Sequence, residues 1–142
     1  MTVVGVGIDS TDVAEVRRAL RRHGDRYLRF VLTDRELAEC RHEPDLAAAT
    51  ARRWAAKEAV TKVLAPADDD PWPWTHVEVL GLGAGTSDVH LHGRPRALAD
   101  SRGVRRLQVE EIRTTRSDSV TYAAVGSGPA ASGPVTSPDT RG

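Results

Sequence analysis

The stretch Ala51-Arg52-Arg53-Trp54-Ala55-Ala56-Lys57-Glu58-Ala59-Val60-Thr61-Lys62 carries the most information about the fold. It lies inside the longest helical signal, which follows Pro44-Asp45, runs from Leu46 to about Leu64 and closes at Pro66. Ala55, Ala56 and Ala59 allow another element to approach closely. Glu58 and Lys62 are four residues apart and share a helix face, with Arg53 about one and a half turns earlier. A carboxylate able to hold a cation, beside cations able to meet phosphate oxygens, describes a diphosphate site. By spacing alone the same residues also describe a surface Glu-Lys pair worth about 0.3 to 0.5 kcal/mol.

Towards the N-terminus, Thr2 to Ile8 alternates valine with glycine, the pattern of a short buried strand whose glycines let a second backbone or a ligand come close. The strand is expected to end at Asp9. Ser10 or Thr11 then caps a helix to about His23, with Val13, Val16 and Leu20 on one face and Arg17, Arg18, Arg21 and Arg22 mostly on the other, until Gly24 stops it. Asp9 at the end of the strand and Asp12 one helical turn further on are expected on the same side of the helix start. There they form either a hard-oxygen pair suited to Mg²⁺ or, for Asp9, a simple N-cap. Tyr27 to Leu32 is a short linking segment, and Thr33-Asp34-Arg35-Glu36 has the form of a capping box for a helix to about Cys40.

Beyond the long helix the period changes from helical to alternating. His76 to Leu80 and Val89 to His92 read as strands joined through the glycines of Gly81 to Gly85. Arg94 to about Arg102 suits a helix, and Leu107 to Arg113 and Val120 to Val125 suit a final hairpin. From Gly126 onward almost no large apolar residue remains to offset ordering entropy, so the expected organisation is one domain over 1–126 and a disordered tail over 127–142. This order of elements predicts an α+β fold rather than a doubly wound sheet.

Composition narrows the function classes. The 142 residues suit one domain, and 20 Lys+Arg against 20 Asp+Glu leave no net charge to recruit nucleic acid or an anionic membrane. No run approaches the roughly 18 apolar residues of a membrane span. Without a basic leader at Met1 to Gly5, and with the lone Cys40 unable to form an internal disulfide, a cytoplasmic protein is expected. Arginine outnumbers lysine 18 to 2, which singles out Lys57 and Lys62. His90 and His92 share a strand face but have no third metal ligand placed by sequence, and Cys40 reads as a small buried apolar residue.

Taken together, Gly7-Ile8-Asp9 with Asp12 and the stretch from Ala51 to Leu64 resemble the holo-acyl-carrier-protein synthase family of 4′-phosphopantetheinyl transferases. That family's pattern is Gly-Ile-Asp with an acidic residue three further on, then Arg-Phe-Ala-Ala-Lys-Glu-Ala with another Lys. Phe30-Val31-Leu32-Thr33 with Glu36, and Trp74-Thr75-His76-Val77-Glu78-Val79, are similar to smaller family motifs in the same order. The resemblance covers roughly residues 2 to 126. It implies an antiparallel sheet packed on a long central helix, and Mg²⁺-dependent transfer of the phosphopantetheine arm of coenzyme A to a serine of an acyl carrier protein. By the same resemblance Asp9 and Glu58 hold Mg²⁺, with Asp12 as a further ligand or water holder. Lys62 contacts the diphosphate, Arg53 a phosphate of the nucleotide end, and Lys57 either of these or Glu58. Gly85 belongs to a coenzyme A-binding loop. The family assembles as a homotrimer, and its arginine-bearing first helix meets the acidic helix of the carrier protein, a role open to Arg17, Arg18, Arg21 and Arg22.

The sequence departs from that pattern in two places. The late strand lacks the family's Ser-x-Ser-His: alignment from Val109 puts Arg113 at the histidine, and alignment back from Tyr122-Ala123-Ala124 puts Ser117-Asp118 at Ser-His. The Gly-x-Pro loop becomes Gly85-Thr86-Ser87. These losses leave a second reading open, a homologue that keeps the fold and binds coenzyme A, a carrier protein or another small molecule without transfer.

Overall fold

The alanine-rich helix forms over the expected residues, and every other element is arranged around it. The computed structural model describes residues 1–85 and 87–130. Strand β1 (Thr2–Asp12) leads into helices α1 (Val13–His23), α2 (Asp25–Val31), α3 (Asp34–Arg41) and the long α4 (Leu46–Leu64). Then come β2 (Val77–Leu80), β3 (Asp88–Leu91), α5 (Gly93–Ser101), β4 (Arg106–Ile112) and β5 (Ser119–Gly128). Two antiparallel sheets result, one of order β1-β5-β4 and one of β2-β3, so the α+β expectation holds.

Helix α4 is buried almost all round because both sheets and the other helices pack against it. Ala55, Ala56, Ala59, Val60, Val63 and Leu64 pack with Val77, Val79, Val109, Tyr122 and Ala124 in the main core. A second cluster joins Leu28, Val31, Leu32, Leu37 and Cys40 to Ala49 of the same helix. The fit against β1 is very tight. A Cβ placed on Gly7 would lie 2.2 Å from the carbonyl oxygen of Ala59, so glycine at 7 and alanine at 59 together let strand and helix touch backbone to backbone.

Three boundaries differ from the sequence reading, each for a local reason. Strand β1 does not stop at Asp9, because β5 pairs with it as far as Asp12↔Ser119. Capping of α1 therefore passes from Ser10 or Thr11 to Asp12, whose Oδ1 accepts the N–H groups of Ala14 at 2.8 Å and Glu15 at 3.2 Å. Ser10 instead shares a 2.6 Å hydrogen bond with Thr121 across the sheet. The segment from Tyr27 is helical, since Gly24 at φ 54° closes α1 and starts α2 at once. Strand β5 runs to Gly128, two residues past the expected domain end, and residues 131–142 of the expected tail lie outside the described residues. Among the described residues no helix is long and apolar enough to cross a membrane.

The close approach makes Gly7→Ala a severe substitution. Its methyl group meets backbone rather than a movable side chain, so urea unfolding should show a loss of about 3 kcal/mol, at the upper end for overpacking.

Candidate active site

Because residues 57 and 58 are neighbours on a helix, their side chains point about 100° apart and serve different places. Helix α4 accordingly carries two ridges. Arg53 and Lys57 face inward towards α3 and β2, whereas Trp54, Glu58 and Lys62 form a partly open ridge whose C-terminal part meets β1.

On the open ridge, the contact with Gly7 carries β1 past α4 so that Asp9 meets Glu58 and Lys62. Lys62 Nζ donates to Asp9 Oδ1 at 2.9 Å and to the carbonyl oxygen of Ile8 at 2.9 Å. Burial opposes ionisation of Asp9, but hydrogen bonds from Glu58 and Lys62 outweigh it and hold its carboxyl below the usual value. Glu58 goes the other way. Burial first, then its hydrogen bond to the Asp9 carboxylate and that group's charge, push it up to about 8. The pair therefore shares one proton, carried on Glu58. Apart from that shared proton, Asp9 Oδ2 is buried and has no hydrogen-bond partner, which leaves an acceptor only incompletely satisfied by the protein.

A divalent cation fits this donor set: two adjacent carboxylates, one orphaned oxygen, and a proton that a cation would displace. Among the described residues no three His, Cys, Asp or Glu side chains converge, so most positions around such an ion are left for other oxygens. Asp12 is not part of the set. Three residues along a strand put it on the opposite face from Asp9, and its Oδ1 is occupied in capping α1.

The inward ridge is spoken for. Lys57 is fully buried and donates to Glu36 Oε1 at 2.7 Å, the Val31 carbonyl at 2.7 Å and the Trp74 carbonyl at 3.0 Å, which uses all three ammonium protons. Burial lowers its pKa against the opposing pull of Glu36. It pairs with neither Glu58 nor open solution. Arg53, also 0% exposed, holds Glu39 at 2.6 Å and Glu43 at 3.0 Å. Its charge is already neutralised, contrary to the free phosphate-binding arginine expected from the motif.

Gly85, at φ 72°, lines a cleft of about 310 Å³ with Leu82, Ser87, Glu111, Arg113 and Tyr122. Of the two candidates for the missing histidine, Arg113 reaches this cleft. Asp118 pairs with Arg116 in the β4–β5 connection, and its carbonyl accepts the Val13 N–H at 3.0 Å. Glu36, Glu39 and Glu43, which immobilise the two inward cations, were not identifiable as their partners from spacing. The capping box accounted for Glu36 at the sequence level, yet Oε1 serves both Thr33 N–H and Lys57, and Oε2 takes Val79 N–H at 2.9 Å. Tyr27 was also missed; it is half-buried, and the charge of Glu58 helps raise its pKa.

Residues 5–121 match the family model of the 4′-phosphopantetheinyl transferase superfamily. A holo-[acyl-carrier-protein] synthase of Alkalilimnicola ehrlichii is 51% identical over 63 residues, 44% of this chain and 49% of that protein. One from Jannaschia sp. is 44% identical over 62 residues, 44% of this chain and 41% of that protein. The chain thus spans about half the length of the curated relatives it matches. The fold is similar to a Plasmodium yoelii acyl carrier protein synthase with ADP bound, at TM-score 0.77 and 20% identity over 91% of this chain and 98% of that one. It is also similar to the Helicobacter pylori holo-[acyl-carrier-protein] synthase in complex with coenzyme A, at TM-score 0.70 and 18% identity over 86% and 99%.

Two measurements separate the ridges. Lys57→Met strands a buried Glu36 and should cost about 3 to 5 kcal/mol, whereas Lys62→Met, at a half-exposed pair, should change stability by about 1 kcal/mol or less. Glu58 keeps its proton in the folded protein up to about pH 8 but loses it near the ordinary carboxylate value of 4.5 when unfolded, so the native state binds more protons in that window. Metal-free wild-type stability should therefore fall as pH rises from about 5 to 8. Glu58→Gln should lack this component and be the more stable protein at pH 8, with the gap closing at pH 5, measured by thermal melts in chelator.

Proposed function

The chain belongs to the 4′-phosphopantetheinyl transferase superfamily, and from that membership we propose that it transfers the 4′-phosphopantetheine arm of coenzyme A to a serine of an acyl carrier protein. The convergence of Asp9, Glu58 and Lys62 carries this reading over that of a binding-only homologue. A protein that only held coenzyme A would have no need of two acidic groups pressed together at the cost of a raised pKa. Mg²⁺ held by Asp9 and Glu58 supplies positive charge against the diphosphate oxygens when bound.

Lys62 is the chain's mobile cation at this point, with 55% of its side chain exposed and its ammonium on Asp9. Once Asp9 is engaged elsewhere, that ammonium is free to meet diphosphate oxygens. In the transfer, the serine Oγ–P bond forms while the P–O bond to the adenosine bisphosphate breaks. The serine proton leaves for water or a carboxylate, and charge grows on oxygens within reach of Lys62.

The cleft at Gly85 suits the nucleotide end, with Arg113 as its cation in place of the immobilised Arg53. The carrier protein is placed at α1 and α2. Arg18, Arg21 and Arg22 make no ion pair among the described residues, and Phe30 stands 64% exposed beside Arg26 and Arg29, a surface fitted to an acidic helix with an apolar residue. Val6 at 59% and Ile8 at 52% exposure lie on the sheet face turned away from α4, apolar surface that favours assembly into the family's trimer. A cytoplasmic setting agrees with both substrates.

Incubation with apo carrier protein, coenzyme A and Mg²⁺ should increase the carrier's mass by one phosphopantetheine, with release of adenosine 3′,5′-bisphosphate. Glu58→Gln should reduce the rate about 100-fold or more while the fold persists. No mass gain on any of several carriers would favour the binding-only homologue, and an undiminished rate in the variant would remove Glu58 from the site.

A further inference from the structure

We propose that the cleft between β3 and the start of β4 is a binding site for a small anion carrying one or two phosphate groups, separate from the Asp9–Glu58 pair. Just before β3, Ser87 Oγ donates to the Val109 carbonyl of β4 at 2.9 Å and ties the two sheets together. Beyond that bond the strands remain in different sheets, and residues 89–92 face residues 104–107 across a cleft of about 170 Å³. Buried Ala99 and Val104 lie at its base. Its polar lining is cationic: His90 comes from β3 and His92 from the residue after it, Arg96 from α5, and Arg105 and Arg106 from the entry to β4.

Three separate elements thus turn donors into one concavity, and the neighbouring arginines mark it out. Of the five arginines between 94 and 106, Arg94 holds Asp70 at 3.0 Å, Arg96 holds Asp100 at 3.3 Å and Arg102 donates to the Ala65 carbonyl at 2.8 Å. Arg105 and Arg106 make no side-chain bond among the described residues, and both line the cleft. Asp100 is the one carboxylate in the lining, so three guanidiniums face one acid in a chain whose charges otherwise balance. Guanidinium forks match phosphate oxygens, and an imidazole brings one N–H donor even when neutral. At little more than half the volume of the Gly85 cleft, the space suits a phosphate or diphosphate without a nucleoside beside it. It also lies away from the transfer chemistry. Arg106 pairs with Ser127 of β5 and Asp9 with Tyr122, five residues apart on that strand, or about 17 Å at roughly 3.4 Å per residue.

The test is a two-dimensional amide NMR titration of the full chain with inorganic diphosphate and, in a second series, with glycerol 3-phosphate. Chelator is present throughout, so that no divalent ion ties either anion to Asp9 and Glu58. Saturable shifts should appear at residues 89–92 and 104–107. The double variant Arg105→Gln, Arg106→Gln should bind about tenfold or more weakly, the loss of charge-assisted hydrogen bonds. Both side chains are exposed and unbonded, so the fold does not depend on them. Arg113→Gln, at the Gly85 cleft, should stay within twofold of wild type. Tighter binding of diphosphate makes the ligand a free inorganic anion and tighter binding of glycerol 3-phosphate a phosphorylated metabolite; either supports the site. Shifts confined to Gly85 and Arg113, no saturable shift with either anion, or full affinity in the double variant would overturn it, and none of these results bears on transfer by Asp9, Glu58 and Lys62.

Discussion

Helix α4 approaches strand β1 until backbone meets backbone, and the chemistry of the molecule follows from that contact. With no side chain at Gly7 and only a methyl at Ala59, the strand runs against the helix instead of over a layer of side chains. Two residues later, Asp9 is delivered against Glu58 and Lys62. Any larger residue at position 7 would move the carboxylates apart before it did anything else. The core on the far side of α4 serves the same end, since helix and strand can be pressed together only if the helix is held from behind, by β2 and the helices that pack on it.

The two ridges of α4 divide the charges between structure and chemistry. Inward, Lys57 is saturated by Glu36 and two backbone carbonyls, and Arg53 holds Glu39 and Glu43 through its two terminal nitrogens while its buried Nε goes without a partner, an arrangement that ties α3 and the segment before β2 to α4. Ion pairs so buried add little net stability over an apolar filling but tolerate no missing partner. Outward, the carboxyls of Asp9 and Glu58 are left with one proton between them, an orphaned oxygen and a half-exposed lysine. The inward ridge thus carries the buried ion pairs, and the open ridge carries the carboxyl pair with the raised pKa.

Much of this was legible in the sequence. The long helix, the hairpins and the α+β class followed from periodicity and turn residues, and Asp9, Glu58 and Lys62 from a family pattern superimposed on helical spacing. The partners of Lys57 and Arg53 were not legible because they sit on α3 and the loop after it, and spacing within one helix says nothing about what another helix presents to it. Asp12 was misread because the end of β1 is set by β5, more than a hundred residues later in the chain. Helix α2 went unseen because a single glycine both ends one helix and begins the next. For Lys57, Arg53 and Asp12 a partner distant in the chain overrode a local signal, whereas Glu58 and Lys62 on the open ridge kept theirs.

The most direct measurement is the anomalous scattering of Mn²⁺ in crystals grown with coenzyme A. The account predicts one strong peak bridging the Asp9 and Glu58 carboxylates, with the Lys62 ammonium moved off Asp9 onto the diphosphate. A peak elsewhere, or carboxylates too far apart to share an ion while coenzyme A is bound, would contradict it.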